Sequence, residues 1–331
     1  MAKKYLIVKI AAIGDVIMAL PMVEEIRKLD KDANITWICG KGAKTLLEPF
    51  DIDHIITLDE KKLLSGTKYE KISVVFRLWK QIAGRKYDVI ALGHGDKRYK
   101  LLTMLTRCNT FSAFSHVMRK VCPIPGRHHT DEYVRLINPE NKKPVQAVKF
   151  PKVELPLEIK KLLLRDKPLA VLAPGGIVDR NDGRWLRRWP INNYVKLAEL
   201  LLEKYNIVVV GDLEDSWIKK YLSHIKVIDL IGKTNLRQLI GVFQAAEIAI
   251  IHDSGPLHLA GMTNTTLVGI FGPTNPQSFM PRRANVHCLH KSNCLSCCPC
   301  YDGKYYAECK DNTCMSDITV DDVLKQIVQV K

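Results

Sequence analysis

Ile250-Ile251-His252-Asp253-Ser254-Gly255-Pro256-Leu257-His258-Leu259-Ala260-Gly261 is the stretch that decides the fold. The apolar run Ala249–Ile251 reads as a parallel strand, and it leads into a polar turn. A helix then opens at Pro256, since proline suits the first helical position, where its missing N–H would have no partner. Ser254 and Gly255 precede that start, so bare backbone N–H groups and the positive end of a helix dipole face outward. Such an arrangement takes phosphate. His258 sits one turn further in, within reach of the same anion. The stretch therefore predicts a diphosphate seat at the carboxyl edge of a parallel strand.

Outward from it, strands and helices alternate. Strands are expected at Leu169–Ala173, Asn206–Val210, Val227–Asp229, Ile248–Ile251 and Thr266–Phe271, and helices at Ile191–Lys204, Asp215–His224 and Asn235–Ala245, with an amphipathic tail helix at Thr319–Val330. The first half alternates in the same way. It has strands at Tyr5–Ile10, Asn34–Cys39, His54–Leu58 and Asp88–Leu92, and helices at Val16–Leu29 and around Ile72–Ala83. This pattern argues for two α/β domains with parallel sheets and crossover helices. Between Asn138 and Pro156 the chain is rich in Pro and Lys without periodicity, which places a linker there and domains at 1–155 and 156–331. Neither half carries G-x-G-x-x-G, which speaks against a dinucleotide.

Composition narrows the function. The 331 residues carry a formal charge of +15, and no apolar run approaches the ~20 residues of a membrane span. The N-terminus lacks a secretory signal, so a cytoplasmic protein is expected. Between Lys61 and Arg127, 15 Lys and Arg face only Glu70, Asp88 and Asp96. That asymmetry implies an acidic partner (nucleic acid, anionic lipid or a charged substrate) or a solubilising surface. Aromatic residues are not regularly interleaved with those charges, and Asp253 is acidic, so nucleic acid is not expected.

Three further turns bear chemistry. Lys9-Ile10-Ala11-Ala12-Ile13-Gly14-Asp15 follows the first strand; Gly14 admits a ligand close to the backbone, and Asp15 is either a helix cap or a carboxylate aimed at one. Ala173-Pro174-Gly175-Gly176 forms a backbone cradle, with Arg184, Arg187 and Arg188 nearby as phosphate partners or as surface charge. In Val210-Gly211-Asp212-Leu213-Glu214 a carboxylate could hold ribose hydroxyls or cap a helix. Finally, six of the ten cysteines fall between Cys294 and Cys314, spaced as in a tetrahedral thiolate site for Zn or Fe.

These residues together resemble the ADP-heptose heptosyltransferases of glycosyltransferase family 9. The carriers are Ile13-Gly14-Asp15 with Pro21, Ala173-Pro174-Gly175 with Arg187-Arg188-Trp189-Pro190, Asp253-Ser254-Gly255-Pro256-Leu257-His258, Phe271-Gly272-Pro273-Thr274 and Cys314-Met315. The resemblance implies a GT-B fold, two Rossmann-like domains facing each other across a cleft, the N-terminal one binding acceptor and the C-terminal one donor. It implies an inverting transfer from ADP-heptose, with Asp15 as the catalytic base. Donor contacts would be Gly175, Arg187, Asp212 or Glu214, Asp253, Ser254, Gly255 and His258. Arg187 stands where the family has a lysine, and Ile177–Arg184 is longer than usual. No metal is needed for transfer in this family. A lipopolysaccharide inner-core acceptor would sit by Gly14 and the cations Lys97, Arg98, Lys100 and Arg119, with the protein touching the anionic inner leaflet. The cysteine segment also resembles the iron-binding finger of autotransporter heptosyltransferases, which modify protein serines; Cys297, Cys300, Cys309 and Cys314 fit that pattern best, with Cys294 competing. A nucleotide-sugar epimerase shares the architecture and is one alternative from another class; a nucleic-acid-binding protein, suggested by the basic charge, is the other.

Overall fold

The computed structural model describes residues 2–114, 127–176, 185–291, 295–301 and 305–329. Arg119, Cys294 and the whole of Ile177–Arg184 lie outside them, as does the side chain of Lys97. The chain divides into two compact units, Met1–Val148 and Lys149–Lys331.

In the first unit, strands β1 (Lys4–Val8), β2 (Asn34–Gly40), β3 (His54–Leu58), β4 (Lys86–Leu92) and β5 (Arg107–Ala113) form one parallel sheet in the order β3-β2-β1-β4-β5. Leu6, Ile7 and Val8 of the central strand are fully buried, as expected of a strand covered on both faces. The expected helix Val16–Leu29 is two helices, α1 (Ile13–Ala19) and α2 (Pro21–Leu29). Pro21 has no N–H to give to the carbonyl of Ile17, so the ladder stops at Leu20 and restarts with proline at the first position. Helix α3 (Lys68–Ile82) begins four residues before the expected Ile72 because Thr67 and Glu70 form a reciprocal capping box. Strand β5 and helix α4 (His129–Arg135) were not expected. β5 lies at the sheet edge and carries the polar sequence Arg-Cys-Asn-Thr, which has no apolar period to read.

The second unit repeats the plan. Strands β6 (Leu169–Ala173), β7 (Asn206–Val209), β8 (Val227–Asp229), β9 (Ile248–His252), β10 (Thr266–Phe271) and β11 (Val286–His290) pair in parallel in the order β11-β10-β9-β6-β7-β8. Helices α5 (Leu157–Leu163), α6 (Ile191–Leu201), α7 (Leu236–Ala245), α8 (Gly255–Gly261) and α9 (Val320–Gln329) accompany it. Asn235 caps α7 in a second capping box. The expected helix Asp215–His224 is instead a 3₁₀ stretch, Leu213–Ile218, followed by a single α turn, Lys219–Leu222. Among the described residues no helix is long and apolar enough to cross a membrane.

Both sheets have a reversal of strand order beside their central strand: between β1 and β4 in the first unit, and between β6 and β9 in the second. Ligands of open α/β sheets bind outside the strand ends at such points. The turns singled out from the sequence all follow β1, β6, β7, β9 or β10.

Candidate functional site

In the first unit, Asp15 projects from the first turn of α1 and is held from three sides. The ammonium of Lys9 lies 3.3 Å from its carboxylate, the hydroxyl of Tyr133 donates to it at 3.2 Å, and Nδ1 of His129 lies 3.8 Å away. Its side chain is 31% exposed while that of Lys9 is 5% exposed, so the carboxylate faces solvent and the cation backs it. Burial raises the carboxyl's pKa, but Lys9 and His129 outweigh it and leave it well below the usual carboxylate range. Asp15 is therefore an anion at every working pH. It makes no side-chain cap on α1, whose N-cap is Ala12. Helix α4 packs on α1 and supplies His129 and Tyr133; neither was singled out from the sequence. At the neighbouring strand end, His94 accepts from the Ile10 N–H at 2.9 Å, and burial followed by the Lys9 charge holds it well below its normal pKa.

Gly14 is buried in α1 beside Asp15. Of the cations expected on the acceptor side, Arg98 is 89% exposed and folds back on Asp96 at 2.7 Å, whereas Lys100 lies 5.7 Å from the Phe111 ring.

In the second unit, two turns at the strand-order reversal are fastened to each other. Tyr194 accepts from the His252 N–H at 3.3 Å, so its hydroxyl proton goes to His252 Nδ1 at 3.1 Å. The ring's remaining N–H is then left for the backbone of Gly175, to which the ring is hydrogen-bonded. Burial and the nearby Arg187 charge push the imidazole down to about 3, so it is neutral. His252 thus ties the end of β9 to the turn after β6.

The Gly175-Gly176 turn rests on a carboxylate absent from the expectations. Asp215 is buried, accepts from the N–H groups of Gly176 (3.1 Å) and Asp212 (3.2 Å), and lies 3.9 Å from Arg188. A Cβ on Gly175 would stand 2.1 Å from its Cγ, so glycine is required there. Gly176 adopts φ +139°, a second reason for glycine. Arg188 donates to the Gly176 carbonyl and its guanidinium lies between the rings of Trp185 and Trp217, at 5.3 and 5.0 Å. Its Nε–H is buried and has no partner among the described residues. Asp212 and Glu214, the two carboxylates left open by the sequence, are both exposed; Asp212 spends its side chain capping the 3₁₀ stretch. Asp215 was legible only as part of the D-x-x-D capping pattern that it forms with Asp212.

The second turn places Asp253 almost completely out of solvent. Thr274 donates to its carboxylate at 2.7 Å and Arg187 reaches it at 3.5 Å. Burial opposes the Arg187 charge, but Asp253 more than compensates and its pKa is raised further above the ordinary guanidinium value. The acid thus holds a cation at the turn that the sequence led us to expect as a phosphate seat. Ser254 turns its hydroxyl back to the His252 carbonyl at 3.0 Å, leaving the first N–H groups of α8 without side-chain caps. A Cβ on Gly255 would meet nothing within 4 Å, so the approach to that helix start is open. His258 is buried one turn in.

Cys298 and its neighbours pack on the loop that follows β10. Among the described residues no three His, Cys, Asp or Glu side chains are grouped so as to hold a metal, and none of the described cysteines forms a disulfide. Of the expected ligands, Cys297 is exposed, while Cys300, Cys309 and Cys314 do not gather into such a group. Cys298, not among them, donates to the Gly272 carbonyl at 2.9 Å, beside His290 at 3.4 Å. Burial, then the neighbouring sulfurs, push Cys298 up to about 11 and Cys314 up to about 12. The backbone N–H groups of Cys300 and Tyr301 donate to the Pro273 carbonyl. The segment thus braces Gly272-Pro273-Thr274, the loop that holds Asp253.

Comparison with known proteins agrees with this construction. The chain is 23% identical to the lipopolysaccharide core heptosyltransferase OpsX of Haemophilus influenzae, over 98% of this chain and 96% of that protein. Its fold matches the family 9 glycosyl transferase of Veillonella parvula (TM-score 0.78, 21% identity, 99% of this chain and 97% of that one). It also matches E. coli heptosyltransferase WaaC with ADP (TM-score 0.72, 15% identity, 99% and 100%). The two parallel sheets are thus those of the GT-B heptosyltransferases. The family model for glycosyltransferase family 9 (heptosyltransferase) covers residues 75–305, half of the first unit and most of the second, and it makes this chain a member of that family, a glycosyltransferase.

Proposed function

We propose that the protein transfers heptose from ADP-heptose to the inner core of lipopolysaccharide, at the cytoplasmic face of the inner membrane. The observation that carries the proposal is the pairing of functions at the two strand-order reversals. One holds a permanently ionised carboxylate and the other a glycine cradle lined by fixed cations. The names of OpsX and of WaaC with ADP support the acceptor class and the nucleotide.

In this reading the second unit holds the donor. The Gly175-Gly176 turn, the start of α8 and the Arg187 and Arg188 guanidinium groups neutralise the diphosphate, and their fixed charge stabilises the ADP that departs. The first unit supplies Asp15. The acceptor hydroxyl oxygen bonds to the anomeric carbon as the carbon–oxygen bond to ADP breaks, with inversion, and the hydroxyl proton passes to Asp15. A carboxylate with so low a pKa is a weak resting base. It suffices because the hydroxyl becomes strongly acidic once its oxygen has begun to bond to carbon. Lys9, Tyr133 and His129 orient the carboxylate. Lys97, Arg98, Lys100 and Arg119 lie in the basic segment that would draw the acidic acceptor.

The experiment pairs ADP-heptose with a Kdo-bearing lipid A acceptor. Wild type is expected to transfer heptose, and Asp15→Asn to lose transfer while keeping ADP affinity. Consumption of donor without acceptor would identify an epimerase or hydrolase, and transfer to a protein serine in preference to lipid would overturn the acceptor assignment.

A further inference from the structure

Helix α3 (Lys68–Ile82) is apolar on two faces, and the first unit covers one of them. Val74, Val75, Leu78 and Ile82 are buried in the sheet's core, whereas Tyr69, Ile72 and Phe76 are 85, 66 and 54% exposed. Their spacing, i, i+3, i+7, puts them on a single stripe. The stripe does not end with the helix. Trp79 donates from its indole nitrogen to the Leu101 carbonyl at 2.9 Å and so brings the next turn alongside, where Leu101 and Met104 are 46 and 57% exposed. Scattered exposed apolar residues need no explanation, but a continuous ridge of them does.

The ridge is set among cations. Lys68, Lys71, Arg77 and Lys80 are exposed on the same helix, and Glu70, its sole acid, is occupied by the capping box with Thr67. The Lys80 ammonium stands 4.9 Å from the Phe76 ring centre. Aromatic and aliphatic side chains flanked by lysines, on a helix lying flat on its own domain, match the interfacial layer of an anionic bilayer. A second copy of the chain fits less well, because a two-fold contact would press these cations against themselves. Nucleic acid would use the cations but gives Ile72, Leu101 and Met104 nothing to bury against.

We infer that this face of the first unit docks the protein on an anionic phospholipid surface. Tyr69, Ile72 and Phe76 enter the interfacial layer, and Lys68 and Lys80, on either side of that stripe, meet the lipid phosphates. The inference deepens the proposed lipid acceptor and rests on that reading, but vesicle binding needs neither donor nor acceptor, so the two can fail separately.

The test is co-sedimentation of the full-length chain with phosphatidylcholine vesicles, with and without phosphatidylglycerol. Binding to the anionic vesicles, weakened by salt, is expected. The triple variant Tyr69→Ser, Ile72→Ser, Phe76→Ser should lose roughly tenfold or more in partitioning. Lys68→Glu with Lys80→Glu should lose at least about fivefold per position. Both variants should unfold at the wild-type temperature, as their changes are all on the surface, and should transfer heptose to a lipid-free acceptor sugar at the wild-type rate. Equal vesicle binding by wild type and the triple variant would overturn the inference. So would a dimer or RNA complex that the variant abolishes while wild type ignores vesicles, or a variant that loses transfer to the soluble sugar.

Discussion

Gly175 and Gly255 belong to the same expected donor site, yet the structure gives them opposite reasons for being glycine. A methyl group at Gly175 would occupy the place of the Asp215 carboxylate, 2.1 Å from its Cγ and 2.2 and 2.3 Å from its oxygens. Asp215 cannot yield cheaply, because it is buried and accepts from the N–H groups of Gly176 and Asp212. Hydrogen bonds to a charged group contribute roughly 1.5–3 kcal/mol each, so losing both costs about 3 kcal/mol at the least. For a domain of this size that lowers the melting temperature by about 6–12 °C. At Gly255 the added methyl group meets nothing, and alanine in the first helical turn is at worst neutral, within about 1 kcal/mol. The space it fills is the approach to the N-terminus of α8, which no side chain caps and where the diphosphate is proposed to sit. Gly175→Ala should therefore lose both thermal stability and ADP affinity, while Gly255→Ala keeps its melting temperature and loses ADP affinity alone. Differential scanning fluorimetry and isothermal titration with ADP read the two quantities separately. A Gly255→Ala protein that binds ADP like wild type would remove the diphosphate from that turn, and a Gly175→Ala protein of unchanged stability would refute the role given to Asp215.

His252 has its pKa depressed to about 3, below the value near 6.5 of an unfolded chain, so the unfolded state binds the proton first on acidification. Its contribution is intact above about pH 6.5 and falls by about 1.4 kcal/mol per pH unit below it; thermal melts across that range should show the loss, and His252→Phe should flatten it. Asp15 also has a depressed pKa, so its stabilisation is complete above the unfolded carboxylate value near 4 and is lost only as pH falls further. Transfer should accordingly show no acid limb from Asp15 in its pH–rate profile; an acid limb in the wild type that survives in His129→Gln would mean that Asp15 itself titrates there. Thr274→Val removes the 2.7 Å donor to a buried charge, which should cost about 1.5–3 kcal/mol by thermal unfolding and weaken ADP binding through Arg187.

What could be read from the sequence was local. Central strands such as Ile248–Ile251 announce themselves because burial on both faces demands an unbroken apolar run, and the glycine turns follow them directly. Edge strand β5 does not, since a strand with one neighbour carries Arg107, Asn109 and Thr110 without penalty. Pro21 was on the page as well, but a period-3.6 pattern passes smoothly across a proline that restarts the helix rather than ending it.

The site's missing members share a different cause. His129 and Tyr133 reach Asp15 from more than 110 residues away, on a short helix with no strong pattern of its own. Asp215 looked like one acid among three in Asp212-Leu213-Glu214-Asp215, and only the direction of a single 3₁₀ turn decides which of them goes inward. The cysteine segment shows the same limit of what spacing can state. Spacing states which thiols can converge, but whether they do depends on what else needs them. Here Cys298 is engaged by the carbonyl of Gly272, a residue whose own Cβ would collide with Met315 and Cys314. That packing makes the segment a brace for the Thr274–Asp253–Arg187 chain, so its effect on catalysis should run through donor affinity. Cys298→Ala is expected to raise the KM for ADP-heptose, leave kcat nearly unchanged and lower the melting temperature. A fall in kcat at constant KM would detach the segment from the donor site and break the line of contacts drawn from the cysteines to Asp253.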